Sequence, residues 1–365
     1  MRKIWVLSLT VSLTVSAAVS AAQTIELSGA KIVVLNPKKK IEASAADMLR
    51  DEIEKRTRIA LDVVSQVPGA DEVAVLIGTA NELAEKSYPP AAGLEIPSTA
   101  DAYAIWIDAS QRRAATLCAA GYDDRGTLFA VGRLLRLLEM SRDRVRLDGA
   151  VRLATAPKYA LRGHQMGYRP KTNSYDGWTI EMWEQYYRDM VVWGMNALEL
   201  IPPRSDDDND SPHFPKSQME MMVAMSRLAD DYGLDVWIWY PAIDKDYSDP
   251  KIVELALKER EEVFQKLPRL NAVFVPGGDP GDTHPEILLP FMEKQKRLLN
   301  HYHPHAQMWV SPQGLDRPGR NRGGWLRGFF DILQTQQPPW LDGVVFGPQV
   351  ETTLANLRRG CPIST

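Results

Sequence analysis

The segment VFVPGGDPGDTHPE, residues 273–286, is an apolar run that ends in two glycines and then in Asp279, Asp282 and His284. A strand that is apolar where it is buried and acidic where it surfaces delivers carboxyl groups to one end of a core. Carboxyl groups so placed can protonate a leaving oxygen or activate water, and cleavage of a glycosidic bond needs a pair of them. Asp279 is the first candidate. The second is Glu199 in NALELIPPR: it alternates with Leu198 and Leu200 and therefore points away from them, into whatever the strand encloses. A glutamate buried there is costly unless it is paired, with Arg204 and Arg162 as the nearest cations in the pattern, or unless it has a chemical use. Asp244 in WYPAIDKDYSDP is a third catalytic candidate from a neighbouring loop.

The aromatic residues point to a sugar. Trp237 and Trp239 are two apart on one strand and share a face, and Trp309 repeats that placement further on. Flat rings suit the apolar faces of pyranoses, and Tyr168, Tyr175 and Tyr240 are expected to extend the surface. Gln165, Gln313 and Gln349 end strands and can bond hydroxyls without adding charge, with His164 beside the first of them. Asp282 and His284 would reach the same substrate from the loop after Asp279, and Arg204 would meet an anionic group such as a uronate.

Other chemistries are poorly provided for. HYHPH (301–305) closes a helix, and RSDDDNDSPH (204–213) lacks the glycine and distal glutamate of a calcium loop, so no metal and no cofactor are expected. GxSxG, HExxH and phosphate-loop patterns are absent from the sequence. With 43 basic and 47 acidic residues the chain lacks the basic footprint of a nucleic-acid binder. Cys118 and Cys361 are the only cysteines and make no disulfide framework.

Positioning such residues requires a frame. From Tyr159 onward a short apolar strand ending in polar or Gly/Pro residues is followed by an amphipathic helix, and the unit repeats. Alternation of this kind implies parallel strands with right-handed crossovers. Polar and aromatic residues gather at the carboxyl ends of the strands, as on the active face of a (β/α)8 barrel. Six strands are visible: YALRGHQMGY, NALELIPPR, LDVWIWYPA, AVFVPGGDP, AQMWVSPQG and DGVVFGPQ. The expectation is an α/β chain with three parts. Residues 1–22 form a signal peptide, from their basic start, apolar stretch and Ser-Ala-Ala end. Residues 23–155 form a small α/β (α+β) accessory domain, and 156–365 a TIM barrel incomplete at its C-terminus. Lys38–Lys40 reads as a solvated turn. The product would be secreted or periplasmic, with no membrane association after cleavage.

VPGGDPG is similar to the strand-four signature of β-N-acetylhexosaminidases, Gly-Gly-Asp-Glu: Asp279 matches the Asp, and Pro280 occupies the place of the acidic Glu. The α-glucuronidases carry an acid at the end of the same strand followed by Gly and Pro, and Asp279 can take that place. The whole of residues 23–365 resembles exported bacterial glycoside hydrolases of these two groups. The resemblance implies a non-catalytic α/β domain, a catalytic barrel, and hydrolysis of O-glycosidic bonds in poly- or oligosaccharides, α-glucuronidase-like activity included. It leaves one alternative, a catalytically inactive sugar-binding protein on the same scaffold.

Overall fold

The structure, a computed structural model, describes residues 24–108, 112–170, 174–208, 210–315 and 324–346. The expected signal segment, Gln349 and Cys361 lie outside the described residues. In chain order the first elements are β1 (Thr24–Glu26), β2 (Lys31–Val34), α1 (Lys40–Thr57), β3 (Val63–Val64), β4 (Ala74–Thr79), α2 (Ala80–Glu85), β5 (Tyr103–Asp108), β6 (Thr116–Gly121), α3 (Asp124–Leu137), β7 (Glu139–Ser141), β8 (Arg144–Asp148) and β9 (Arg152–Thr155). There follow β10 (Gly163–Met166), α4 (Ile180–Val192), β11 (Ala197–Leu200), α5 (Gln218–Asp231), β12 (Asp235–Trp239), α6 (Pro250–Lys266), β13 (Ala272–Val275), α7 (Pro285–Tyr302), β14 (Gln307–Val310), α8 (Gly324–Gln336) and β15 (Gly343–Val344).

Strands β3-β2-β4-β6-β5-β9 form a mixed sheet, parallel through β6 and antiparallel at β5 and β9. Every residue of β4 and β6 is buried, as expected of central strands covered on both faces. β1-β8-β7 make a small antiparallel sheet beside it. The later strands form a third sheet in sequential order, β10-β11-β12-β13-β14-β15, with every neighbour pair parallel. Strand and helix alternate through it as the sequence pattern requires.

Local signals set the boundaries. Gly194 and Gly233 adopt φ of 81° and 65° at the ends of α4 and α5, the left-handed turn that leads each helix into the next strand. Ser217 and Glu220 cap α5 reciprocally, and Asp249 caps α6 with Pro250 in its first turn.

One apolar core joins the sheets. Residues of α1 and α3 share it with α4, α5 and the helix-facing rows of the later strands. Helices α3 and α4 meet at Gly132, where a Cβ would lie 2.8 Å from the Val191 carbonyl oxygen, so only glycine permits that approach. Lys38–Lys40 form a turn leading into α1, with Lys38 and Lys40 exposed, and two of its lysines also make ion pairs. Lys39 pairs with Glu82 at 2.9 Å and Asp124 at 2.8 Å, and Lys40 reaches Asp231 of the α5 C-terminus at 2.6 Å.

The junction has a polar centre. Asp101, 2% exposed, accepts hydrogen bonds from Arg125 at 2.5 Å, Arg162 at 2.7 Å and Asn196 at 2.9 Å. Burial alone would raise its carboxyl pKa, but the two guanidinium groups and Asn196 outweigh that and hold it below the usual aspartate range. Arg125 continues to Asp235, at the start of β12, at 3.1 Å.

Candidate active site

Side-chain parity on the parallel strands builds a cavity of about 610 Å³. Glu199, Trp237, Trp239, Phe274 and Trp309 all line it, whereas Leu198, Leu200, Val236 and Ile238 are buried in the core. The Trp237 and Trp309 ring centroids are 5.4 Å apart and tilted by 46°.

Glu199 faces Gln165 on β10 and Trp237 on β12 in the strand register. Its Oε2 accepts a hydrogen bond from Gln165 Nε2 at 3.0 Å. No cation pairs with it among the described residues: Arg162 is engaged with Asp101, and Arg204 with Asp244 and Glu259. Burial therefore dominates and pushes the carboxyl up to about 7, with the Gln165 bond pulling weakly the other way. A carboxyl group with this pKa holds a proton near neutrality and can give it up, which is what a general acid requires.

Asp279 is on the loop that follows β13, is not among the residues that line the cavity, and meets it through Gln313. Gly277 has φ of 65°, and a Cβ there would lie 2.3 Å from the Ser311 carbonyl oxygen and 2.5 Å from that of Gln313. The neighbouring loop answers with Gly314 at φ 74°, where a Cβ would meet the Asp279 nitrogen at 2.9 Å. Glycine on both loops thus allows the backbones to touch, with Gly278 N–H donating to the Gln313 carbonyl at 2.9 Å. That contact sets Gln313 Nε2, which lines the cavity, 2.7 Å from Asp279 Oδ2. Gly277→Ala is expected to separate these loops, lowering stability by about 1–3 kcal/mol through backbone strain while leaving the Glu199 environment intact. Thermal unfolding, with the Glu199 titration as the control, checks this.

Other expected residues lie elsewhere. Tyr240 is one residue past Trp239 and so faces the helices, buried under Arg260 at 4.2 Å and beside Phe264. Arg204 and Asp244 bind each other at 2.6 Å, and Tyr247 donates to Asp244 at 3.0 Å, so neither group is available to a substrate in the cavity. Burial would raise the Asp244 carboxyl, but Arg204 outweighs it and holds it below the ordinary value. His284 caps α7, its Nδ1 accepting the Glu286 N–H at 3.3 Å, with Pro285 in the first turn. Asp282 is an exposed turn residue with φ of 60°. Tyr168 stacks on Phe214, and Tyr175 packs against Trp178 and Trp183. His164 does reach the cavity wall, while its Nε2 is 3.0 Å from the Tyr186 hydroxyl.

The sequence reading overlooked Arg169, three residues beyond β10. It lines the cavity, approaches Asp207 at 3.2 Å and Asp206 at 3.5 Å, and lies 5.9 Å from the Trp239 ring. A cation at the carboxyl end of the first strand was the available signal. Asp206 also lines the cavity, so the acidic loop 204–208 forms part of its wall rather than a cation site. Among the described residues no cluster of His, Cys, Asp or Glu is arranged to hold a metal ion.

No protein-family model matches the chain, and no curated protein matches it. Solved structures do. A GH20 exo-β-N-acetylglucosaminidase from Vibrio harveyi, in complex with N-acetylglucosamine, is similar over 79% of this chain and 52% of its own, with TM-score 0.55 and 12% identity. A mutant Streptomyces plicatus β-hexosaminidase, in complex with its product GlcNAc, is similar over 89% of this chain and 71% of its own, with TM-score 0.58 and 13% identity. CpGH84B gives TM-score 0.55 at 12% identity, over 85% of this chain and 52% of its own. The chain shares their fold. It spans about half the length of the Vibrio enzyme and of CpGH84B.

Proposed function

We propose that this chain carries the sugar-binding and proton-donating part of a glycoside hydrolase. The observation that carries the reading is Glu199: a half-buried carboxyl with no cation paired to it among the described residues, in a cavity walled by tryptophans. The neighbours' complexes with GlcNAc support a neutral hexosaminide as substrate class. An α-glucuronidase-like preference has less support, because Arg204, the cation expected to meet a uronate, is engaged by Asp244 and Glu259. The domain division at residues 155–156 and export by the first 22 residues belong to the same proposal.

In the proposed reaction the sugar ring packs on Trp239 and Trp309. Glu199 passes its proton to the glycosidic oxygen as the bond to the anomeric carbon breaks. Water adds to that carbon and gives a proton to the second carboxylate, for which Asp279, steadied by Gln313, is the proposed group. Pro280 stands where hexosaminidases carry their acid, and Glu199 takes over that role.

Release of the aryl group from a panel of aryl N-acetylhexosaminides, hexosides and glucuronides tests the reading. The expected result is turnover of an N-acetylhexosaminide that falls by about 10²–10⁴-fold in Asp279→Asn. Sugar-dependent thermal stabilisation without turnover would replace the enzyme by an inactive sugar-binding protein. Absence of both turnover and stabilisation would refute the reading.

A further inference from the structure

A second cavity, of about 860 Å³, opens at the other end of the parallel strands, where Asp235, Asn271 and Gln307 begin or precede β12, β13 and β14. Trp237 and Trp309 line this cavity as well as the first, so the two spaces share an aromatic wall.

Its polar groups have one character. Gln307 Oε1 accepts the Trp309 indole N–H at 3.0 Å, and Asn271 Oδ1 accepts the Val236 N–H at 2.9 Å. Both of those partners are donors only, so each amide turns its oxygen to the protein, and its NH₂ group has no partner among the described residues. Lys158 and His305 line the same space, and neither forms an ion pair among the described residues. The carboxylates present are already matched, Asp101 by Arg125 and Arg162, and Asp235 by Arg125 and Arg269. What remains among the described residues is a set of unspent donors and Lys158, which has no carboxylate partner and lies 5.6 Å from the Tyr159 ring, around two aromatic rings.

We propose that this cleft binds a carboxylated sugar, a uronate, with its carboxylate held by Lys158 and the Asn271 and Gln307 amides and its ring against Trp237 and Trp309. One lysine and two neutral amides suit a monoanion better than a phosphate dianion, and the ring wall has no use for a bare anion. The site uses neither Glu199 nor Asp279, although it shares the Trp309 ring with the first cavity.

Isothermal titration of the full chain with D-glucuronate, D-glucose, acetate and inorganic phosphate tests it. Glucuronate is expected to bind at least about tenfold more tightly than any of the other three ligands. Lys158→Glu and Gln307→Glu each place an acid where a donor stood, on exposed side chains, and each is expected to weaken glucuronate by about tenfold or more. Glu199→Gln, in the first cavity only, is expected to leave that affinity unchanged. The proposal is overturned if glucuronate does not bind, if acetate or phosphate binds as well, if both acidic variants keep full affinity, or if Glu199→Gln abolishes binding.

Discussion

Glu199→Gln is expected to lower turnover of an unactivated disaccharide by about 10²–10⁴-fold, the usual contribution of a positioned general acid. The loss should shrink for nitrophenyl glycosides, whose leaving group departs without a proton. That dependence on the leaving group separates an acid from a residue that merely shapes the cavity. The wild-type rate with the disaccharide should fall as pH rises through about 7, where Glu199 gives up its proton, and the variant should lack this limb. The same titration acts on stability. The folded-state pKa lies above the ordinary 4.5, so the native state holds the proton more tightly than the unfolded chain does. The stability contributed by this group is therefore fully present below pH 4.5 and is lost as pH rises through about 7. Above that pH, Glu199→Gln is expected to be the more stable protein in urea unfolding. Equal rates for variant and wild type on the disaccharide would remove Glu199 as the acid.

Asp101→Asn is expected to cost about 3–5 kcal/mol, because it takes the carboxylate from two part-buried guanidinium groups, of which Arg125 keeps Asp235 and Arg162 keeps none among the described residues. Its side chain is 3% exposed, against 21% for Arg125 and 18% for Arg162. Asparagine tolerates the backbone φ of 66° at this position, so the loss would report the charge and not backbone strain. The sign with pH is opposite to that of Glu199. Asp101 has a depressed pKa, so its contribution is present above the ordinary value of 3.8 and is lost as pH falls below it. Urea unfolding at neutral pH and at pH near 3 measures both effects. A loss under about 1 kcal/mol at neutral pH would mean that the network behaves like solvated surface pairs.

Much of this site was legible in the sequence because strands have a period of two. Glu199, Trp237, Trp239 and Trp309 all follow from counting alternate residues along apolar runs. The same rule explains the misplacement of Tyr240, which was read as part of the strand end without regard to its parity. Arg204 and Asp244 are 40 residues apart, and nothing local reveals that each is the other's partner. His284 looked chemical because a histidine beside acids usually invites that reading, yet Pro285 already marked a helix start, and the residue before it is a cap. In the first part of the chain β7, β8 and β9 carry no clear signal in the sequence. They are short and largely polar, and their pairing with β1 and β5 is decided by residues far away in sequence. The Gly-Gly-Asp turn stands out in the sequence by its two glycines, and what approaches them is the Ser311–Gly314 loop.

The most direct test is the ionisation of Glu199 itself, read as the wild-type minus Glu199→Gln difference in carboxyl stretching absorbance across pH, with and without N-acetylglucosamine. It does not depend on turnover. A midpoint near 7 that moves when the sugar is added would place a protonated carboxyl in a sugar-binding cavity, as proposed. A midpoint near the ordinary 4.5, indifferent to the sugar, would contradict the account.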